Sequence, residues 1–156
     1  MGGEGKRKIQ LDVVTPDRIE FSRRVDSIIA PSWDGYIGIL PGHMPLITNL
    51  ETGVLTIYDG DEEIRMAVRE GFLEITPTKV VVLAEAAEMP YEIDVERALE
   101  SKRRAEEILA KSTEHVSLIR ARARLQRAMT RLKVASDRKN GPGKGVSESE
   151  YPRSIE

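Results

Sequence analysis

Residues 8–84 contain short apolar or alternating stretches that are separated by turn signals. Stretches of this kind predict β-strands, and they are KIQLDVV (8–14), VDSIIA (25–30), GYIGIL (35–40), GVLTIY (53–58), EIRMAV (63–68), FLEIT (72–76) and KVVVLA (79–84). Two connections, YDGDEE and TPTK, favour hairpin turns, because Asp-Gly tolerates a positive φ and proline fixes φ. Short strands at this spacing predict an antiparallel β-sandwich or barrel rather than parallel strands joined by helices.

The apolar period becomes helical after residue 92, and glycine and proline are absent from 93 to 140. Steps of three and four residues mark a later helix, at Leu118, Ala121, Leu125, Ala128, Leu132 and Ala135. A looser stripe marks an earlier helix, at Val95, Ala98, Ala105, Ile108 and Leu109. The predicted fold class is therefore α+β, an N-terminal antiparallel β-sandwich followed by a C-terminal helical hairpin. Alanines on both helices allow close packing but bury little area.

The charge changes at the same boundary. Residues 1–91 carry nine basic and fifteen acidic side chains, whereas residues 92–156 carry fifteen basic and eleven acidic ones. Such a difference indicates two units with different surfaces. The predicted domains are a β-sandwich at 1–91 and a helical hairpin at 92–138. Residues 139–156 are rich in Gly, Ser, Pro and charge and are predicted to be disordered.

The amino-acid composition limits the classes of protein to which this chain can belong. Hydrophobic residues make up 40% and charged residues 32% of the chain, which is typical of a soluble protein with a modest core. The absence of cysteine excludes disulfides and thiolate metal sites. No apolar run approaches the length of a membrane span. We expect an intracellular, soluble chain without direct membrane insertion, whose association with a membrane would require a partner.

The run GILPGHMPLIT (38–48) places two prolines and a histidine in an apolar segment. Pro41-Gly42 predicts a turn, which would make this run a corner of the sandwich. His43 is not expected to be catalytic or to bind metal, because the chain has one other histidine and no cysteine to complete a site. A fixed apolar corner favours partner docking, and the predicted docking residues are Ile39, Leu40, Pro41, Gly42, His43 and Met44.

The segment Asp34–Gly53, DGYIGILPGHMPLITNLETG, resembles the hallmark segment of bacterial epsilon subunits of F-type ATP synthases. The order of sandwich and hairpin also fits, and the resemblance covers roughly residues 6–138. Met44, where alanine is common in the family, is a small departure. The resemblance implies a non-catalytic rotor subunit of the central stalk, peripheral at the cytoplasmic face of the cell membrane. Its complex would couple the transport of ions, hydrogen ions or sodium ions, to ATP synthesis.

The same resemblance implies partners for each unit. The sandwich would bind the gamma subunit and the c-ring, and the hairpin would inhibit ATP hydrolysis when it extends toward the catalytic alpha/beta head. No cofactor would be required. ATP would act as a regulatory ligand rather than as a substrate.

A second stretch of the sequence also resembles the family, and it concerns the binding of ATP. Ile93-Asp94-Val95-Glu96-Arg97-Ala98 fits the I/L-D-x-x-R-A pattern with which bacterial epsilon subunits bind ATP. The implied nucleotide-binding residues are Glu88, Ile93, Asp94, Arg97, Ala98, Arg104, Arg127 and Arg131. Spacings of seven and four residues put the arginines of each helix on one face. Folding the hairpin would join the two faces into a cationic cleft suited to phosphate.

Other interpretations remain open for the same residues. Asp94 is an ordinary helix cap, and arginines on exposed helices are usually solvated. The basic second helix would also attract nucleic acid, although no stacking aromatics accompany its arginines. An enzyme would need a nucleophile–base pair, a metal cluster or a phosphate loop, which the sequence lacks. A stand-alone nucleotide-sensing or adaptor domain is the alternative function. Salt-sensitive DNA retention and phosphate release by the isolated chain distinguish the nucleic-acid and enzyme hypotheses.

Overall fold

The structure is a computed structural model that describes residues 7–137. The strands in this range are β1 (Ile9–Val14), β2 (Ile19–Val25), β3 (Ser27–Ser32), β4 (Gly35–Ile39), β5 (Leu46–Leu50), β6 (Gly53–Asp59), β7 (Glu62–Val68), β8 (Gly71–Ile75), β9 (Lys79–Ala84) and β10 (Ala87–Glu88). A 3₁₀ turn, Pro90–Glu92, leads to helices α1 (Val95–Lys111) and α2 (His115–Ala135). The predicted disordered tail lies outside the described residues.

The strands form one sheet that folds over on itself, in the order β10-β7-β6-β3-β5-β8-β9-β1-β2, with β4 paired to β3. The predicted β-sandwich followed by a helical hairpin is confirmed. One feature differs from the antiparallel pattern, because β1 pairs with β9 in parallel. The sequence pattern also missed β2, IEFSRRV, whose four charged or hydroxyl side chains obscure its alternation of buried and exposed positions.

Alternate strand positions point into a continuous apolar core. Its largest fully buried members are Ile9, Leu11, Phe21, Ile28, Ile39, Leu50, Leu55, Ile57, Met66, Leu73 and Ile75. Ile39 was predicted to contact a partner, but its side chain is completely buried in this core. It therefore supports the corner from inside and is not a surface residue.

The turns follow the predicted chemistry. The Leu40 carbonyl accepts a hydrogen bond from the His43 N–H at 3.1 Å, and Gly42 at the third turn position has φ +86°. Proline followed by a residue with positive φ is the geometry of a type II turn. Gly60, with φ +59°, occupies the two-residue turn between β6 and β7. The corner and the β6–β7 turn are thus set by local sequence.

The hairpin is closed by small side chains. Of α1, only Ala98 and Ala105 are buried, and α1 packs chiefly against α2. Helix α2 buries Ala121 and Ala128 in its middle. It also packs against β6, β7 and the 3₁₀ turn, so the hairpin contacts the sandwich mainly through α2.

The end of α2 forms a small apolar cluster with the sandwich and the interdomain segment. Its buried members are Val54, Ala67, Ile93, Val134 and Ala135. Four of them are valine or alanine side chains from β6, β7 and α2, so the buried apolar area is limited. Neither α1 nor α2 is both long enough and apolar enough to cross a membrane.

Gly71 offers a test of the sheet's packing. A Cβ at this position would lie 1.8 Å from the Leu83 carbonyl oxygen, a backbone atom that cannot move away cheaply. We expect Gly71→Ala to lower the free energy of unfolding by about 3 kcal/mol. Gly38→Ala is the matched control, because a Cβ there meets nothing within 4 Å, and urea denaturation measures both. Equal stability of the two variants would contradict the close approach of β8 and β9.

Candidate functional site

A cleft of about 330 Å³ opens where α1 and α2 meet the rim of the sandwich. Five arginines from both units line it, namely Arg69, Arg97, Arg124, Arg127 and Arg131. Glu88 and the hydroxyl side chains Thr52, Ser101 and Thr130 share the lining. An excess of guanidinium groups with hydroxyl donors is suited to an anion that carries several charges, such as a phosphate chain.

Arg131 is held by a carboxylate of the sandwich. Its Nε and Nη2 atoms donate to Oε2 of Glu88 at 3.2 and 3.0 Å. Both side chains are about three-quarters buried. The pair connects α2 to β10, so it closes one end of the cleft while occupying one of the arginines.

Arg127 is held by a second carboxylate. Its Nη2 lies 3.3 Å from Oε1 of Glu70, in the connection between β7 and β8. Its Nε is buried and has no hydrogen-bond partner among residues 7–137. Arg127 is thus incompletely hydrogen-bonded within the described residues, so its Nε remains a donor for a further acceptor.

Glu70 is fixed in place and ionised. The Thr52 hydroxyl donates to its Oε2 at 2.7 Å, and its own N–H donates to the Thr52 oxygen at 3.3 Å. Burial acts to raise the pKa of Glu70, but the Thr52 hydrogen bond, its own backbone N–H and the charges of Arg127 and Arg69 outweigh burial. The pKa of Glu70 is therefore held below its ordinary value, and the carboxylate is charged at neutral pH.

Two further arginines are available to a ligand. Within the described part of the chain, no carboxylate lies within ion-pairing distance of the Arg97 or Arg124 guanidinium. Arg97 stands on α1 and Arg124 on α2, so they approach the cleft from different helices. The packing of the hairpin against the sandwich places both charges at one cleft.

The structure brings together four of the eight residues that the resemblance implied for nucleotide binding, Glu88, Arg97, Arg127 and Arg131. The other four have different surroundings. Asp94 caps α1 by accepting from the Arg97 N–H at 3.0 Å, and Arg104 pairs with Glu100 at 2.6 Å on an exposed face.

The remaining two predicted residues are buried. Ile93 lies in the apolar cluster under the end of α2, and Ala98 lies in the α1–α2 contact. Sequence reasoning missed Arg69, Glu70 and Arg124, which are single charged residues outside any motif. Their only signal is position, since two precede β8 and one lies three residues before Arg127.

The docking corner forms a second candidate surface. Leu40 and Met44 are 64% and 79% exposed, and Ile47 and Phe72 on neighbouring strands are also exposed. Phe72 pairs directly with exposed Leu83 across the β8–β9 ladder. We call these exposed residues, Leu40, Met44, Ile47, Phe72 and Leu83, the apolar face; several large exposed apolar side chains on a small domain are typical of an interaction surface.

The corner itself shows no sign of chemistry. The His43 Nδ1 lies 2.7 Å from the Met44 carbonyl oxygen, a contact that ties the ring to its own turn. Pro41 and His43 are half-buried, and Gly42 is exposed and donates its N–H to the Pro77 carbonyl. Residues 7–137 contain no group of three or more His, Asp or Glu side chains arranged to hold a metal ion.

Family models match both units. The model described as ATP synthase, Delta/Epsilon chain, beta-sandwich domain matches residues 8–90, and that for the long alpha-helix domain matches residues 92–136. An ATP synthase epsilon chain of Dehalococcoides mccartyi is 46% identical over 136 residues, covering 86% of this chain and 97% of that one. One of Desulforamulus reducens is 42% identical over 126 residues, covering 81% and 96%.

Solved structures share the fold at lower identity. A chain of the Euglena gracilis mitochondrial ATP synthase, in an OSCP/F1/c-ring structure, superposes with a TM-score of 0.72 at 22% identity and 87% coverage of both chains. A chain of the Tetrahymena thermophila central stalk and c-ring gives 0.53 at 13% identity, covering 83% of this chain and 98% of that one. These matches confirm the resemblance inferred from Asp34–Gly53. The chain therefore belongs to the ATP synthase delta/epsilon family, as an epsilon chain, a non-catalytic subunit of the ATP synthase complex.

Proposed function

We propose that this chain restrains ATP hydrolysis by the rotary motor through a hairpin whose position responds to ATP. The observation that carries the proposal is the arginine cleft, because it exists only while α2 lies against the sandwich. Thr52 and Arg69 come from the sandwich, Arg97 from α1, and Arg127 from α2. A ligand that contacts all three walls binds the compact form alone.

The chemistry of the cleft favours a triphosphate. Arg97 and Arg124 carry charge that no carboxylate neutralises in the described range. Each can donate two parallel hydrogen bonds to phosphate oxygens. The hydroxyls of Ser101 and Thr130 add neutral donors beside them. Adenine would lie near the α1 N-terminus, where the motif that resembles the family's ATP pattern begins.

Binding and regulation are then one equilibrium. A ligand shifts a population toward the state it prefers by the ratio of its affinities for the two states. Abundant ATP would hold the hairpin compact and leave the motor free. When ATP is scarce, the hairpin would extend and its basic second helix, with Arg120, Arg122 and Arg124, would reach acidic surfaces of the alpha/beta head.

The apolar face would bind the rotor. We assign it to the gamma subunit and to the c-ring, which would place the chain at the cytoplasmic face of the cell membrane without inserting it. Met44 and Leu40 project from a turn whose backbone is fixed by Pro41 and Gly42. A rigid apolar projection loses little conformational entropy on binding.

Leu40→Asp tests the rotor assignment. Placing a charge on this exposed turn is expected to reduce copurification with the gamma subunit at least tenfold, because an unpaired carboxylate would be buried in the interface. Leu99→Asp is the control, since Leu99 is a similarly exposed leucine on α1, away from the apolar face. Equal copurification of the two variants would move the interface elsewhere.

Arg97→Ala tests whether the arginine cleft binds ATP. Arg97 makes no ion pair among the described residues, so its removal is expected to leave the compact hairpin intact while deleting a phosphate contact. We expect ATP affinity to fall by about tenfold or more, measured by calorimetric titration of the isolated chain. The control is Arg103→Ala, whose side chain pairs with Glu107 on the exposed face of α1 at 3.1 Å. Equal loss in both variants would show a general charge effect and not a site.

Removing residues 92–156 separates the two units. The apolar core of the sandwich contains no helix residue in the described range, so we expect the shortened chain to fold and to join the rotor. Hydrolysis by the reconstituted complex should then lose its inhibition at low ATP. Persistent inhibition would show that the hairpin is not the regulatory element.

A further inference from the structure

A carboxylate of the chain itself lies at the border of the cleft. Glu70 stands behind Arg127, outside the cleft lining, and its Oε1 lies 3.3 Å from the Arg127 Nη2. Thr52 holds the other carboxylate oxygen at 2.7 Å. The carboxylate is therefore a fixed negative charge at the border of a site suited to negatively charged ligands.

We propose that Glu70 is a tethered competitor of the phosphate chain for Arg127, and that it sets the ligand concentration at which the hairpin closes. The inference rests on the proposed function, because it concerns the affinity of that same cleft. Glu70 acts through Arg127 and is a positioning residue. Its effect on the ligand comes from charge and from the pairing of Arg127.

The sign of the effect follows from three states of the hairpin, which are open, compact and empty, and compact with ligand. Glu70 pairs with Arg127 in the compact empty state and so stabilises it. In the compact liganded state Arg127 turns to phosphate, and the carboxylate, which still pairs with the Arg69 Nε at 3.3 Å, repels the ligand. In the open state α2 is away from the β7–β8 connection, so Glu70 contributes nothing to that contact.

Neutralising Glu70 therefore tightens ligand binding whichever empty state predominates. If the open state predominates, the free energy of ligand binding becomes more favourable because the repulsion by the carboxylate is removed. If the compact empty state predominates, binding also becomes more favourable, because the Arg127–Glu70 ion pair no longer has to be broken. The same change loosens the empty hairpin, since α2 loses one of its ion pairs with the sandwich.

These opposite effects distinguish a competitor from a merely structural residue. Loss of a structural contact would loosen the hairpin and weaken the ligand together. A residue that orients Arg127 for the ligand would also weaken binding when changed. Only a competitor gives tighter binding together with a looser empty state.

The test compares Glu70→Gln with Glu74→Gln in the full chain. Both remove one negative charge, but Glu74 is exposed on β8 and makes no ion pair among the described residues. Calorimetric titration with ATP is expected to give an affinity about five- to tenfold higher for Glu70→Gln than for wild type, and no change for Glu74→Gln. Without ATP, amide hydrogen exchange along α2 should be several-fold faster in Glu70→Gln, and saturating ATP should restore its protection.

Each possible result supports or overturns either the inference or the proposed function. An unchanged or lower affinity in Glu70→Gln overturns the inference while leaving ATP binding by the wild type intact. Failure of the wild type to bind ATP overturns the proposed function. In that case binding by Glu70→Gln alone would support a cleft blocked by its own carboxylate, and no binding by either chain would overturn both.

Discussion

The structure depends on how weakly one helix is attached. Helix α2 carries the main contact between the hairpin and the sandwich, and that contact combines a small cluster of valine, alanine and isoleucine side chains with ion pairs that are partly exposed to water. Exposed or partly exposed pairs of this kind contribute at most about 1 kcal/mol each. The sandwich, by contrast, has a continuous core of large aliphatic side chains. A stable base with a marginally held arm is the arrangement expected of a part that moves.

The two arginines that hold α2 against the sandwich also line the cleft. Arg127 and Arg131 attach α2 to Glu70 and Glu88, and both arginines face the space between the helices and the sandwich. A ligand that takes these arginines must replace the ion pairs that it breaks. It also gains Arg97 and Arg124, which have no carboxylate partner in the described part of the chain. In the proposed mechanism, a change at Arg127 or Arg131 would therefore alter both the docking of α2 and the affinity for the ligand.

Much of the fold could be predicted from the sequence because its signals are local. The Pro41-Gly42 turn, the Gly60 turn and the alanine seam of the hairpin each follow from residues close in sequence. Strand β2 was missed because its outward side chains are charged, and the parallel pairing of β1 with β9 depends on long-range packing.

The cleft shows the same division between local and long-range signals. The resemblance to the family's ATP-binding pattern implied Arg97, Arg127 and Arg131, and all three line the cleft. Arg104 shares the periodicity but pairs with Glu100 instead, and Glu70 enters only because the β7–β8 connection folds beneath α2. The most direct test is the distance between spin labels on cysteines introduced at Asp61 and Arg122, since the natural chain has none. Saturating ATP should narrow the distances to one compact population, and its removal should broaden and lengthen them; identical distributions with and without ATP would contradict a ligand-held hairpin.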